Sequence, residues 1–378
     1  MDVGQKIEAL GESAQYDLCA ACSKEMTRRR DDLGRWIYPA ALPDGKRVRL
    51  LKVLLTNVCE KNCYYCAVRA GRDVPRTSFT PEELARAFDR LHRADLVDGL
   101  FLSSGVCAGA DRTMDRMLAC VELVRTQYGF SGYVHLKLLP GASEAHIERA
   151  LQLAHRVSVN LEAPSAERLG VIAPYKDFYH ELSQPMKVAK RLIDASGGRL
   201  APAGQTTQFV VGAAGESDHE ILSTTARLYE ELNLKRAYFS AFQPVPGTPL
   251  DGCEATPAWR EHRLYQADWL LRFYHFAFED LVFDHDGHLP RKADPKMMYA
   301  RAHPELFPVE VNRASREELL RVPGLGPRSV GRILSWRREG ALRDLADLRQ
   351  AGAVAERAAA FILLDGQQPP HQLPLWGE

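Results

Sequence analysis

No long apolar run opens this chain. Met1-Asp2-Val3-Gly4-Gln5-Lys6-Ile7-Glu8 is mixed and polar, which predicts neither a secretory signal nor a membrane span, and a cytoplasmic location. Cysteine is scarce: 8 in 378 residues are too few for a disulfide scaffold and suit a reducing compartment. Charge of one sign is missing as well. Lys plus Arg (49) balance Asp plus Glu (49), so the whole-chain charge indicates no partner and any basic surface must be local. What is present is 46% hydrophobic content over a length that can bury a large core, with one big domain and a small one.

Three of the cysteines stand together in Thr56-Asn57-Val58-Cys59-Glu60-Lys61-Asn62-Cys63-Tyr64-Tyr65-Cys66, directly after the apolar stretch from Leu50 to Leu55. A Cys-x3-Cys-x2-Cys loop can bind three irons of a four-iron cluster and leave the fourth open. The same residues also read as a zinc site or as three unrelated thiols, although zinc sites usually pair Cys-x2-Cys units and no second pair follows. The spacing, with the aromatic Tyr65 just before the last cysteine, resembles the signature of the radical S-adenosylmethionine (SAM) superfamily. That resemblance implies a 4Fe-4S cluster on Cys59, Cys63 and Cys66 and a free iron that chelates SAM. It also implies reductive release of a 5'-deoxyadenosyl radical and an electron donor such as flavodoxin or ferredoxin.

From about residue 49 to 280, short β-prone runs alternate with helical patterns, which predicts an α/β fold of repeated βα units around a parallel sheet. Six strands are expected, at Arg49 to Thr56, Gly99 to Gly105, Gly132 to Leu138, Arg156 to Glu162, Gln205 to Gly212 and Arg236 to Phe242. Helices are expected near 80–95, 112–127, 143–154, 177–195 and 216–233, several opened by a Thr-Pro, Ser or Asp cap. Right-handed crossovers give a partial barrel, similar to the superfamily's (β/α)6 core, with the cysteines at the C-terminal end of the first strand, where barrels gather function. Leu264, Trp269, Leu270, Phe273 and Phe276 at helical spacing predict a packing helix over 257–280 that closes the barrel. Asp284-His285-Asp286-Gly287-His288 reads as a polar turn, since it lacks the later Glu of a calcium loop.

Within the resemblance, Ser103-Ser104-Gly105 occupies the place of the motif whose backbone holds the SAM amino group; small residues permit such close approach, and an ordinary strand-to-helix turn reads the same way. Asn160 and Glu162 share one strand face and correspond to the fourth-strand site for the SAM ribose and amino-acid part, with ion pairing in a polar barrel as the alternative. Gly212, in Val211-Gly212-Ala213-Ala214-Gly215-Glu216, looks like a shifted Gly-x-Ile-x-Gly-x-x-Glu pattern. Pro244 and Val245 resemble the loop that packs on adenine. His135 and Lys137 share a face of the third strand, where they steer a carboxylate or phosphate or pair with Glu162. Cys107 is a candidate hydrogen-atom donor or a small buried hydrophobe. Cys19 and Cys22 form a Cys-x2-Cys with only two ligands in view.

Residues 301–366 change character. Val322-Pro323-Gly324-Leu325-Gly326-Pro327-Arg328-Ser329 resembles a helix-hairpin-helix DNA-binding motif, in which consecutive backbone N–H groups at a helix N-terminus hold a phosphate; a helical pair that packs on protein is the alternative. Asn312 to Arg357 holds ten Arg against six acidic residues. The implied nucleic-acid contacts are Gly324, Gly326, Arg328, Ser329 and Arg332, and a degenerate second copy at Leu345 to Val354 is expected to be structural. The tail 367–378 is Pro- and Gln-rich and flexible, and its Gln372, Leu373, Leu375 and Trp376 resemble a sliding-clamp-binding peptide.

Residues 1–48 then form an N-terminal extension, 49–300 the partial barrel with its closing helix, and 301–366 a small all-α domain. The combination resembles DNA modification or repair radical SAM proteins, which implies radical chemistry on a DNA nucleotide. An RNA-modifying enzyme, and a DNA-bound iron-sulfur scaffold or redox protein that never cleaves SAM, are the other readings.

Overall fold

Apolar runs punctuated by caps and turns form the elements that their periodicity predicts, and a computed structural model describes residues 1–14, 37–41 and 47–371. These fall into two units, Met1–Glu216 with Thr224–Glu261 and Ser217–Ser223 with His262–Glu378. In chain order the first carries α1 (Val3–Ala14), β1 (Ile37–Ala41), β2 (Arg47–Leu54), α2 (Pro81–Arg93), β3 (Gly99–Ser103), α3 (Ala110–Thr126) and β4 (Tyr133–Lys137). There follow α4 (Glu144–Leu153), β5 (Arg156–Ser158), α5 (Ala166–Ile172), a π-helix at Phe178–Ser183 that runs into α6 (Gln184–Ala195), β6 (Gln205–Val211), most of α7 (Asp218–Leu232), whose first turns fall in the second unit, and β7 (Arg236–Ala241). One sheet holds all seven strands in the order β1-β2-β3-β4-β5-β6-β7. Strands β2 to β7 are parallel, with Leu54 beside Ser103 and Val211 beside Ala241, so their C-terminal ends share one rim.

These are the six parallel strands of the sequence reading. The seventh, β1, was not anticipated: it pairs antiparallel with β2, Ile37 opposite Leu51, and lies at the sheet edge, where a strand tolerates a proline such as Pro39. Helix starts follow the cap chemistry. At α2 the Thr80 hydroxyl accepts the Glu83 N–H while the Glu83 carboxylate accepts the Thr80 N–H, a reciprocal capping box. Leu84 and Phe88, four apart, then point into the core with Met114, Met117 and Val121 of α3.

β5 is the most curtailed, ending at Ser158. Past it, Glu162 takes a left-handed backbone (φ 65) with its N–H on the Gln208 carbonyl and its carbonyl on the Val210 N–H. A glutamate at positive φ is unusual, and β6 holds it there on both sides.

The second unit takes in most of α8 (Ala258–Phe273), then α9 (Pro295–Ala302), β8 (Val309–Glu310), α10 (Arg316–Arg321), α11 (Pro327–Trp336), α12 (Leu345–Gln350), α13 (Ala355–Ala358) and β9 (Ile362–Leu363). It is not all-α as expected: β8 and β9 pair in parallel, Val309 with Ile362, a two-residue ladder too short for periodicity to reveal. Two helix-turn-helix pairs, α10–α11 and α12–α13, share a core of Leu319, Leu320, Val330, Ile333, Leu348 and Ala355. Each turn carries a left-handed glycine at the same register, Gly324 (φ 87) and Gly352 (φ 84). A Cβ on Gly324 would stand 2.5 Å from the Val354 carbonyl, so the pairs touch backbone to backbone. On α8, Leu264 and Leu270 are buried as predicted, whereas Trp269 and Phe273 are exposed and packed on each other at 5.1 Å. No helix among the described residues is long and apolar enough to cross a membrane.

Candidate functional site

At the C-terminal rim of β2 to β7 the first unit encloses a cavity of about 610 Å³, within the range of ordinary ligand sites. Cys59, Cys63 and Cys66 line it together with Tyr65, Ser103, Ser104, Gly105, Lys137, Asn160, Glu162 and Val245. Eleven residues singled out from the sequence therefore meet at one place, and Val106, next to Gly105, joins them in the lining.

The close approach of two loops explains the small residues of that turn. Gly105 donates its N–H to the Thr56 carbonyl at 2.8 Å, and a Cβ on it would lie 2.5 Å from the Val58 carbonyl and 3.1 Å from the Cys59 Cβ. Any side chain would thus push the cysteine loop away. The next N–H, of Val106, donates to the Cys59 sulfur at 3.4 Å, and the Glu60 N–H donates to the Val106 carbonyl at 2.8 Å.

Beside the cysteines lies a buried ion pair. Lys176 sets its ammonium 3.3 Å from a Glu162 carboxylate oxygen and 3.4 Å from the Tyr65 hydroxyl, with both charged side chains over nine-tenths buried. Burial opposes the Lys176 charge, but the neighbouring Cys63 and Glu162 outweigh it and hold its pKa above the usual lysine range. Burial likewise pushes the Cys63 thiol up and the Cys66 thiol up to about 12, so both thiolates need positive charge nearby.

Among the described residues no three His, Cys, Asp or Glu side chains are gathered closely enough to hold one metal ion. A single zinc wants every ligand about 2.3 Å from a common centre; a cluster instead takes each thiolate on a different iron. Three thiols that line one cavity, a backbone N–H on the Cys59 sulfur and a glycine where the two loops meet suit the cluster.

Other expected site residues lie elsewhere. His135 does not line the cavity: it is buried inside the barrel, 2.9 Å from the Ser158 hydroxyl and edge-on to Phe101. Burial and then Arg156, Lys52 and Lys137 hold it neutral, well below the usual imidazole range. Cys107 also stands outside the lining, its N–H and carbonyl both tied to the Thr113 hydroxyl at 2.9 Å. Gly212 is used for packing: a Cβ there would fall 2.0 Å from the Thr256 hydroxyl, while its N–H and that of Ala214 donate to the Glu216 carboxylate. Pro244 is not in the lining, unlike its neighbours Gln243 and Val245.

Sequence reasoning missed Lys176, Gln208, Ser240 and Glu261, all cavity-lining. Gln208 and Ser240 carried a signal, as polar residues two positions apart from other inward-facing strand positions. Lys176 carried none, since it sits in an irregular segment whose path only the fold determines.

In the second unit the turn Gly324-Leu325-Gly326 does not present all its N–H groups. That of Leu325 donates to the Val322 carbonyl at 3.2 Å and that of Gly326 to the Ser329 hydroxyl at 2.8 Å. Ser329 is buried and returns its own O–H to the Gly326 carbonyl; it caps the turn and faces no ligand. Arg328 and Arg332 are exposed, with one Arg332 nitrogen on the Ala351 carbonyl at 3.3 Å. Behind the turn, Lys296 donates to the Leu325 carbonyl and lies 4.6 Å from the Tyr274 ring. Gln372, Leu373, Leu375 and Trp376, like Cys19 and Cys22, lie outside the described residues.

Residues 53–228 match the family model of the Radical SAM superfamily. No curated protein matches. Among solved structures, the crystal structure of HydG, a maturase of the FeFe-hydrogenase, superposes with a TM-score of 0.48 at 13% identity, covering 59% of this chain and 49% of its own. HydG from Carboxydothermus hydrogenoformans gives 0.48 at 13%, with 59% and 51% covered. Methylornithine synthase, PylB, gives 0.46 at 14%, with 70% and 75% covered. The chain spans about half the length of the two HydG chains.

Proposed function

From the premise that this chain carries a radical SAM superfamily domain, and is with it an enzyme of a 4Fe-4S cluster and SAM, we propose that it acts on a nucleotide within DNA. A 4Fe-4S cluster held there and reduced by an external electron donor would supply the one electron by which SAM parts into methionine and a 5'-deoxyadenosyl radical able to abstract hydrogen. The protein's own residues position and shield. Cys59, Cys63 and Cys66 take three irons, the backbone of Ser103 to Gly105 receives the SAM amino group, and Asn160 and Glu162 receive its ribose and amino-acid part. Lys137 orients an anionic group at the cavity wall.

The observation that supports DNA is the repeat in the second unit: two helix-turn-helix pairs with left-handed glycines at equal register, Gly324 and Gly352, in a locally basic segment. We read it as a paired helix-hairpin-helix in which Arg328 and Arg332, exposed on α11, hold a phosphate. Such contacts fix register on the backbone and read no sequence. A base inside a duplex is out of reach of a barrel cavity, so the target nucleotide is flipped or single-stranded.

The test is anaerobic reconstitution, reduction and measurement of 5'-deoxyadenosine with duplex DNA, single-stranded DNA or transfer RNA, followed by mass spectrometry of the nucleosides. Release stimulated by DNA, with a new nucleoside, is expected. Affinity for DNA should fall steeply with salt, and Arg328→Ala with Arg332→Ala should lower that slope by about one per lost phosphate contact. Stimulation by transfer RNA alone, or by no nucleic acid, would overturn the DNA assignment and leave the radical chemistry standing.

A further inference from the structure

The cysteines lie on a loop that must hold its shape almost without regular structure. Residues 57–77 leave β2 and return beside it, closed at the base where the Thr77 N–H donates to the Asn57 side chain at 2.7 Å and Thr56 bridges to Ser78. Between those ends the chain has turns and bends only. Ordering such a stretch is costly in backbone entropy.

One side chain gathers it. Arg76 donates through one terminal nitrogen to the carbonyls of Asn57 at 2.6 Å and Val68 at 2.7 Å. Through the other it donates to those of Arg69 at 2.7 Å and Arg72 at 2.8 Å. One acceptor precedes Cys59 and three follow Cys66, so a single guanidinium joins the two flanks of the cysteine segment. Arg72 extends the clasp, donating to the Ala67 carbonyl at 2.8 Å and to the Pro246 carbonyl, beyond β7, at 2.9 Å.

We infer that Arg76 is the positioning residue of the cysteine loop: it sets the spacing of the thiols before iron arrives and determines how firmly the loop retains a cluster. The role does not depend on the substrate. It needs a planar fork that reaches four carbonyls at once, which guanidinium provides and a compact ammonium cannot. None of the four acceptors belongs to a strand or helix, so losing the clasp should loosen the loop and spare the sheet.

The variants are Arg76→Gln and Arg76→Lys, each read in two forms. In the metal-free protein, limited proteolysis should cut within residues 57–77 faster in Arg76→Gln, with thermal midpoint and circular dichroism close to wild type. In the reconstituted protein, iron should be lost to a chelator about 10- to 100-fold faster, with an altered electron paramagnetic resonance line shape of the reduced cluster; Arg76→Lys should fall between. Wild-type chelation rate and line shape in the folded Gln variant would overturn the inference, as would a lowered thermal midpoint with unchanged loop cleavage. If Arg76→Gln does not fold, Arg76→Lys carries the same readouts, and wild-type values there are equally fatal.

Discussion

Lys176 holds its ammonium 3.3 Å from the Glu162 carboxylate in the wall of the cavity that the three cysteines line. The two residues flank α5 (Ala166–Ile172), and Glu162 enters the pair from a left-handed backbone. Lys176→Met leaves that carboxylate buried beside the cysteines without its cation, and breaking one partner of a buried pair costs about 3–5 kcal/mol. Denaturant melts of the metal-free protein should show the loss. Adding Glu162→Gln should recover most of the stability while 5'-deoxyadenosine release stays impaired; full stability in the single variant would refute the pairing.

Gly105→Ala tests the contact between the two loops. Its new Cβ meets backbone, the Val58 carbonyl at 2.5 Å, so the cysteine loop must shift, at about 1–3 kcal/mol for an overpacked site. Iron bound per chain after reconstitution should fall, whereas Ser104→Ala, whose hydroxyl donates only to the adjacent Gly105 carbonyl, should load normally. Equal loading of both variants would argue against the tight approach.

Cys107→Ala should be silent in chemistry. Its thiol is not in the cavity wall, so it is poorly placed to return a hydrogen atom, and SAM cleavage with whatever product forms should stay within about twofold of wild type. A stalled product radical in the variant would reinstate Cys107 as donor.

The second unit should respond to pH through Lys296. Burial drives its pKa down to about 7, Asp294 raising it and Arg357 and Arg321 lowering it. A base whose folded pKa lies below its unfolded value binds fewer protons folded than unfolded in the window between them. Stability is therefore gained as pH rises from about 7 toward the ordinary lysine range and given up over that same window as pH falls, levelling off below about 7, with a slope of at most about 1.4 kcal/mol per pH unit. Denaturant melts across that window should show the rise, and Lys296→Met should flatten it.

Much of this was written locally in the chain. The cysteine spacing, the strand runs and the Thr80, Ser143 and Asp177 caps are patterns within a few residues, and all three caps accept backbone N–H groups of the turns they open. What escaped was set by distant parts of the fold. Lys176 joins Glu162 and Tyr65 through a path no periodicity describes, and β8 finds β9 more than fifty residues later. At Gly326 the local motif pointed outward while the turn's own Ser329 took up the N–H. His135 had the correct face but the wrong depth, one layer of side chains below the rim that Lys137 reaches.

The order of the sheet has one more consequence. Among the described residues its two margins are β1 and β7, which are not hydrogen-bonded to each other, so the strands form a trough open along one side. A trough can work on one projecting group of something far larger than itself, gripping the part that reacts and leaving the remainder outside.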